Sequence, residues 1–262
     1  MSETKLEIPE NLRGFLEIEN ESDFNISRYY VTDVQDKLIN GIIDMQSLSD
    51  KMHEYNLPYL NSTLLYGPPG NGKTTFAKYV AYTMNIYFIY INFATLVDGV
   101  FGKTAQRIHD IFRFVADNEC IFMLDELDCI AVRRGTEAAA TGGELSRITI
   151  TLMQEMDYYK RHDAKAIILA ATNRDDLLDP ALVSRFSLKF KMPTPTIDEK
   201  LGYIVQFLGT IDGIRYNKDN IKQYCYDHST LYQRNIEADL TRCLADWIKR
   251  GTDKMFILNH VE

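Results

Sequence analysis

The sequence lacks the cysteine spacing of a metal site and any long apolar run. Its four cysteines form no Cys-x-x-Cys pair and have no paired histidines near them, which argues against a zinc site and a disulfide framework. No segment reaches the length of a membrane span, and the acidic opening, Met1 to Glu7, lacks the apolar core of a signal peptide. These absences fit the reducing cytoplasm, and we expect the protein there.

The chain also lacks an excess of positive charge. It carries 29 Lys and Arg against 37 Asp and Glu, a net charge of −8, so it has no general electrostatic field to hold a polyanion. Nucleic-acid binding would need a local basic patch. Internal repeats and low-complexity tracts are absent as well. The 262 residues are enough for one α/β domain and a small second domain.

What the chain does contain is a glycine-rich loop between a predicted strand at 62–66 and a predicted helix at 74–84. The loop reads Gly67, Pro68, Pro69, Gly70, Asn71, Gly72, Lys73 and Thr74, followed by Thr75. It matches the phosphate-binding pattern G-x-x-x-x-G-K-[ST] at every fixed position. The glycines let successive N–H groups turn inward around phosphates, while Lys73 supplies a charge and Thr74 a hydroxyl for Mg²⁺. The sequence therefore predicts a nucleotide-phosphate site.

Apolar runs alternate with helical patterns along the middle of the chain. Further strands are predicted at 86–91, 121–124, 166–171 and 188–192, and helices at 36–55, 104–117, 145–159 and from Asp179-Pro180 onward. This alternation predicts an α/β fold with a parallel sheet in three layers. After Pro195 the patterns are helical, at 197–210, 218–227 and 230–250.

Three regions are expected from these patterns. Residues 1–34 form an N-terminal lead-in without a sustained period, and it can be an adaptor, an edge element or a partly disordered segment. Residues 35–195 form the large α/β domain. Residues 196–262 form a small helical lid domain.

Two acids follow the predicted strand at 121–124. In open α/β sheets the carboxyl ends of strands carry the ligand site, so Asp125 and Glu126 are expected near the glycine loop. Asp125 can hold the Mg²⁺ that bridges the outer phosphates. Glu126 can accept a proton from the attacking water as general base.

Two further segments keep a fixed order after the glycine loop. They are Leu124-Asp125-Glu126-Leu127-Asp128 and the stretch from Ala171 to Leu182. Together with the loop they resemble the nucleotide motifs and the second region of homology of the AAA ATPases, over roughly Leu64 to Pro195. The resemblance implies a P-loop NTPase core that binds ATP and Mg²⁺ and hydrolyses ATP. It also implies that Asn173 is the polar sensor that positions the lytic water.

The same resemblance draws attention to two arginines. Arg185 matches the arginine finger that family members insert into the site of an adjacent subunit. Many members carry two arginines in this segment, whereas this chain has Val183-Ser184 before a single one. The resemblance therefore implies that Arg185 acts alone or with Arg174. A surface ion pair is the alternative role for Arg185. Arg234 resembles the second-sensor arginine of some AAA+ relatives, and a helix-surface arginine is the alternative.

A glycine-flanked loop after the strand at 86–91 aligns with the pore loop of family members that thread polypeptides. Val100 stands at the usual aromatic position and Phe101 lies beside it. The resemblance implies that these residues contact a protein substrate in the central pore of a ring. Packing of Phe101 in the core is the alternative. Arg133 and Arg134 are candidates for a second loop in the same channel, or are solvated side chains.

The combined interpretation is an ATP- and Mg²⁺-dependent AAA motor that forms a homo-oligomeric ring, expected to be a hexamer, and remodels or threads a protein substrate. The alternative is a nucleic-acid-linked AAA+ switch, such as a clamp or helicase loader, for which Arg185 and Arg234 are the supporting residues. Net acidity and the lack of a basic appended domain count against that alternative.

Overall fold

The computed structural model describes residues 6–19, 24–57, 61–91, 93, 96, 103–130, 143–159 and 164–260. Its strands are β1 (Leu16–Glu19), β2 (Ser62–Tyr66), β3 (Tyr87–Ile91), β4 (Cys120–Leu124), β5 (Ile167–Thr172) and β6 (Leu188–Lys191). Its helices are α1 (Asp33–Ser47), α2 (Ser49–Glu54), α3 (Lys73–Thr83), α4 (Thr104–Ala116), α5 (Gly143–Tyr159), α6 (Pro180–Val183), α7 (Ile197–Gly209), α8 (Lys218–Asp227) and α9 (Gln233–Arg250).

The strands form one sheet in the order β1-β3-β4-β5-β2-β6. Strands β2 to β6 run parallel, and β4 and β5 are buried at every residue. Parallel strands joined by helices are covered on both faces, which is why their sequences are continuous apolar runs. The predicted α/β fold with a largely parallel sheet is therefore confirmed.

Neighbouring residues of the central strands enter two different cores, one on each face of the sheet. Phe122 and Leu124 of β4 pack with Ile108 of α4 and Leu152 of α5 on one face. The other face carries α1 and α3, whose buried side chains pack against the alternate residues of the same strands. This arrangement is the predicted stack of helix, sheet and helix, because side chains alternate in direction along a strand.

The end of the chain forms a helical unit with its own core, made by α7, α8, α9 and the segment that follows them. Ile204, Leu240 and Trp247 are buried there together with Phe256. The unit also contacts residues that precede α1. We call residues 24–32 the linker segment, and Gln206 of α7 donates to its Tyr29 carbonyl at 2.7 Å. The helical unit is thus connected to the preceding domain through the chain at Pro195, and it also contacts the linker segment.

Part of the lead-in takes one of its expected roles, an edge element, whereas one expected helix is divided in two. Part of the N-terminal lead-in is an edge strand, because β1 pairs antiparallel with β3 and places Leu16 opposite Ile91. The helix expected at 36–55 is two helices, α1 and α2, which meet at Leu48. Leu48 is the C-cap residue of α1, and its side chain is exposed.

Candidate nucleotide site

The glycine loop connects the end of β2 to the start of α3. Gly67 and Gly72 have φ values of 145° and 77°, a region that L side chains rarely adopt. A Cβ atom on Gly67 would also collide with the Met192 carbonyl oxygen. Gly72 precedes the first turn of α3, so the N–H groups at that helix end point toward the loop and favour an anion there.

Lys73 begins α3 and its side chain is folded back along the loop. Its Nζ donates to the Gly67 and Pro68 carbonyl oxygens at 2.8 and 2.9 Å and to Asn173 Oδ1 at 2.7 Å. Burial lowers the pKa of Lys73, and the negative charges of Asp125 and Asp128 act against that shift. The ammonium group is thus held at the mouth of the loop by acceptors that a phosphate can replace.

Thr74 and the two acids after β4 lie together. The Thr74 hydroxyl donates to Asp125 Oδ2 at 2.5 Å, and Asp125 Oδ1 accepts the Glu126 N–H at 2.8 Å. Glu126 has a φ of 51°, which is uncommon for a residue with a side chain and marks a constrained turn at the strand end. A threonine hydroxyl and one carboxylate are the protein ligands that Mg²⁺ takes when phosphates and waters complete its shell. The two side chains therefore fit a bound magnesium ion.

Asn173 lies at the end of β5 and is fixed by Asp128. Asp128 Oδ1 accepts the Thr172 hydroxyl at 2.7 Å and the Asn173 N–H at 3.3 Å. Asp128 was not singled out from the sequence. Its place in the turn after Glu126 was a signal that it faces the same strand ends. These contacts connect the turn after β4 to the end of β5.

These groups line a polar cavity of about 410 Å³ at the carboxyl ends of the strands. The cavity is lined by Pro69, Gly70, Gly72, Lys73, Thr74, Thr75, Asp125, Glu126, Asn173, Gln233, Arg234 and Glu237. Helix α9 reaches the loop through the Arg234 N–H, which donates to the Gly70 carbonyl at 3.1 Å. The structure therefore places Arg234 at the site, together with two residues that the sequence did not single out, Gln233 and Glu237.

One predicted loop residue faces elsewhere. The Asn71 side chain does not line this cavity, and its Nδ2 donates to the Met192 carbonyl at 3.3 Å on the far side of the loop. Gly67 and Pro68 contribute carbonyl groups to Lys73 and no lining surface.

A neighbouring cavity of about 330 Å³ continues from the polar one, because Thr75, Gln233 and Glu237 line both. Its other lining residues include aromatic side chains from the linker segment and from α7, among them Tyr29 and Phe207. Planar aromatic side chains next to a phosphate site suit a nucleotide base.

Arg185 does not line the polar cavity. Its Nε and Nη2 donate to Asp157 Oδ2 at 3.1 and 2.9 Å, and its Nη1 donates to the Ala181 carbonyl at 2.7 Å. The guanidinium is partly exposed, and it lies beside the end of α5. Within this chain the arginine is thus part of an ion pair.

Several expectations concern residues outside the part that the structure describes. Val100, Phe101, Arg133 and Arg134 all fall there. Among the described residues, no group of three or more His, Cys, Asp or Glu side chains could hold a metal ion. A search of the same residues found no helix of the length and apolarity that crossing a membrane requires.

The fold and the loop define a P-loop nucleotide-binding protein. The family model described as the ATPase family associated with various cellular activities (AAA) matches residues 63–194. The chain belongs to the AAA family, and this membership implies nucleotide binding.

The curated relatives include proteins named for the proteasome. A proteasome-activating nucleotidase of Methanococcus maripaludis is 32% identical over 191 residues, covering 71% of this chain and 46% of the relative. The 26S proteasome subunit RPT4 of Saccharomyces cerevisiae is 40% identical over 135 residues, covering 50% and 31%. The 26S proteasome regulatory subunit 10B of Dictyostelium discoideum is 36% identical over 135 residues, covering 50% and 34%. The chain thus spans a third to a half of the length of these relatives.

Proposed function

We propose that this chain is an ATP-hydrolysing AAA motor subunit that acts on protein substrates as part of a ring. The observation that carries the proposal is the convergence of Lys73, Thr74, Asp125 and Asn173 at one edge of the sheet. These are the groups that phosphoryl transfer needs for binding phosphates, holding a metal ion and positioning water. The relatives named for the proteasome support a protein substrate.

The geometry suggests a division of labour in hydrolysis. Lys73 exchanges its bonds to Asn173 Oδ1 and the loop carbonyls for the outer phosphates, which frees Asn173 to orient water. Thr74 and Asp125 would hold Mg²⁺, which neutralises charge on the phosphates when bound. Glu126 accepts a proton as the water oxygen attacks the terminal phosphorus, and the bond to the ADP oxygen breaks.

We propose that the base lies in the neighbouring cavity of about 330 Å³, which Thr75 shares with the polar cavity. This placement puts the base between the linker segment and α7, so that the nucleotide contacts the sheet and the helical unit at once. The domain boundary at residue 195 is part of the same proposal. A cytoplasmic location is also proposed, and the four free cysteines support it.

A ring assembly is proposed from the position of Arg185. In its own chain the guanidinium is paired with Asp157 and lies away from the phosphate cavity. An arginine that acts in a neighbour's site leaves its own cavity incomplete, so hydrolysis then requires assembly. A hexamer is the ring size we propose, by analogy with the family.

Mixing of variants tests this assignment. Arg185→Ala is expected to bind ATP normally and to hydrolyse it roughly a thousandfold more slowly, because it lacks stabilisation of transition-state charge. Glu126→Gln subunits keep Arg185, so mixed rings should contain competent sites and regain turnover. Arg250→Ala is the matched control, since Arg250 is an exposed arginine at the last residue of α9, away from Asn173 and Arg185. Mixed rings without any recovered turnover would refute action in trans.

Substrate contact is proposed for Phe101, with Val100 beside it. Phe101→Ala should keep basal hydrolysis and assembly and lose stimulation by an unfolded protein, and Val100→Ala should lose less. A core position would instead cost about 3–5 kcal/mol of stability. Thermal unfolding and stimulated turnover on the same preparations separate the two.

The nucleic-acid alternative has one supporting observation, the position of Arg234 at the phosphate cavity. Stimulation of hydrolysis by unfolded protein or by DNA decides between the two functions. A response to DNA alone would overturn the proposed protein substrate.

A further inference from the structure

A cavity of about 160 Å³ lies behind the glycine loop, and we call it the rear cavity. It is bounded by Tyr30 of the linker segment, Val34 of α1, Asn71 of the loop and Met192 after β6. Tyr203 of α7 and Ile236 of α9 close it from the helical unit. The rear cavity thus lies where the sheet and the helical unit meet, on the side of the loop opposite the phosphates.

The rear cavity contains a buried acceptor. Asn71 is 4% exposed, and its Nδ2 donates to the Met192 carbonyl at 3.3 Å. Its Oδ1 is buried and accepts no hydrogen bond from any residue that the structure describes. The amide orientation follows from Met192, because the opposite orientation would set two oxygen atoms against each other. A buried acceptor of this kind is unfavourable unless a partner donates to it.

Several other polar groups around the rear cavity already have hydrogen-bond partners. Thr32 and Gln35 bond to each other in the capping box of α1. Glu199 accepts the Thr196 N–H at 2.7 Å as part of the cap of α7. Lys200 donates to backbone carbonyls at residues 228 and 229. Asn71 Oδ1 is therefore a buried acceptor in the cavity wall that a donor on a bound molecule can satisfy.

The size of the rear cavity matches a single aromatic ring. An apolar protein cavity of about 150 Å³ accommodates benzene, and the rear cavity has about 160 Å³. Tyr30, Met192, Tyr203 and Ile236 supply aromatic and aliphatic walls. Ligand pockets generally combine apolar walls with a few placed polar groups.

We propose that the rear cavity is a binding site for a small aromatic molecule that carries one O–H or N–H donor and donates it to Asn71 Oδ1. Such a molecule contacts the glycine loop through Asn71 and helix α9 through Ile236. Arg234, on the same helix, bonds to Gly70 at the other side of the loop. An occupied rear cavity therefore holds the helical unit against the loop. The proposal does not depend on hydrolysis or on ring assembly.

Phenol and toluene are the probes, because they have nearly the same shape and differ in one donor. The full chain is titrated with each, and the methyl signals of Met192 and Ile236 are followed by NMR. We expect saturable shifts at both methyl groups, with phenol binding about three- to tenfold more tightly than toluene. Absence of saturable shifts, or toluene binding as tightly as phenol, would overturn the proposal.

Two substitutions make the assignment specific. Asn71→Leu replaces the acceptor with an apolar group of similar size, so phenol should lose its advantage while toluene still binds. An unchanged preference for phenol would refute the role of Asn71.

Val34 is 59% exposed at the rim, so Val34→Trp can obstruct entry without disturbing the core. It should weaken both probes at least fivefold, and Val34→Ala should not. Should Asn71→Leu fail to fold, the Val34 pair still decides whether the probes enter here.

Discussion

The two sides of the candidate nucleotide site are built differently. The sheet side consists of Lys73 and Thr74 at the start of α3 and of Asp125 and Asn173 after β4 and β5. Side-chain hydrogen bonds of 2.7 and 2.5 Å join Lys73 to Asn173 and Thr74 to Asp125. The helical side consists of Gln233, Arg234 and Glu237 at the start of α9. It contacts the loop through a backbone hydrogen bond at 3.1 Å.

This difference leads us to expect different roles for the two sides. Side chains that hydrogen-bond to one another between the start of α3 and the strand ends are preorganised, which is what transition-state stabilisation requires. A helix end held by a backbone contact can change its distance from the loop when phosphates come or go. We therefore expect substitutions on the sheet side to alter binding and turnover severely, and substitutions on the helical side to have graded effects.

The largest effect is expected from Lys73→Ala. The ammonium group makes charge-assisted bonds to phosphates, and its loss should weaken ADP binding by roughly a hundredfold or more. Titration calorimetry with ADP and Mg²⁺ gives the measurement, and Lys37→Ala on the exposed face of α1 is the control. Near-normal affinity in Lys73→Ala would show that the loop does not hold the phosphates as proposed.

Glu126→Gln should leave binding intact and lower turnover by about 10²- to 10⁴-fold, because glutamine cannot accept the proton of the attacking water. Phosphate release and nucleotide affinity are measured on the same protein. Asp117→Asn, in the turn after α4, is a carboxylate control away from the cavity. Turnover at the normal rate would remove Glu126 from the role of general base.

Arg234→Ala should weaken ATP binding by about three- to tenfold, less than a buried charged partner would, because its side chain is exposed and screened by solvent. Arg250→Ala is the matched control, since it lies at the other end of α9, about 24 Å away. The loss should shrink at high salt. An affinity that does not change with Arg234→Ala would leave the helical side without a phosphate contact.

The sequence predicted the sheet side better than the helical side, for physical reasons. The glycine loop and the acids after β4 are local patterns, and parallel strands bring their carboxyl ends together. The strand β1 was harder to predict, because its four residues acquire a partner in β3 only through a long-range pairing. The same holds for Arg185, whose bond to Asp157 joins the turn after α6 to α5, two segments that local patterns treat separately. The direction of Asn71 depends on Met192, more than a hundred residues away.

The smallest effect, and the most informative about the sheet side, is expected at Asp128. Its Oδ1 accepts two hydrogen bonds from the end of β5, and it acts through Asn173 as a positioning residue. Asp128→Ala removes both acceptor contacts, so Asn173 loses its fixed direction and turnover should fall about two- to fivefold, with ATP affinity unchanged. Asp128→Asn keeps an acceptor oxygen at the same place and should restore most of the turnover.

A merely structural role predicts lower thermal stability and lost affinity in Asp128→Ala instead. Equal turnover in Asp128→Ala and the unmodified chain would show that Asp128 is not needed to position Asn173. The bonds of Lys73 to Asn173 and to the loop carbonyls would then be sufficient to hold the Asn173 side chain in place.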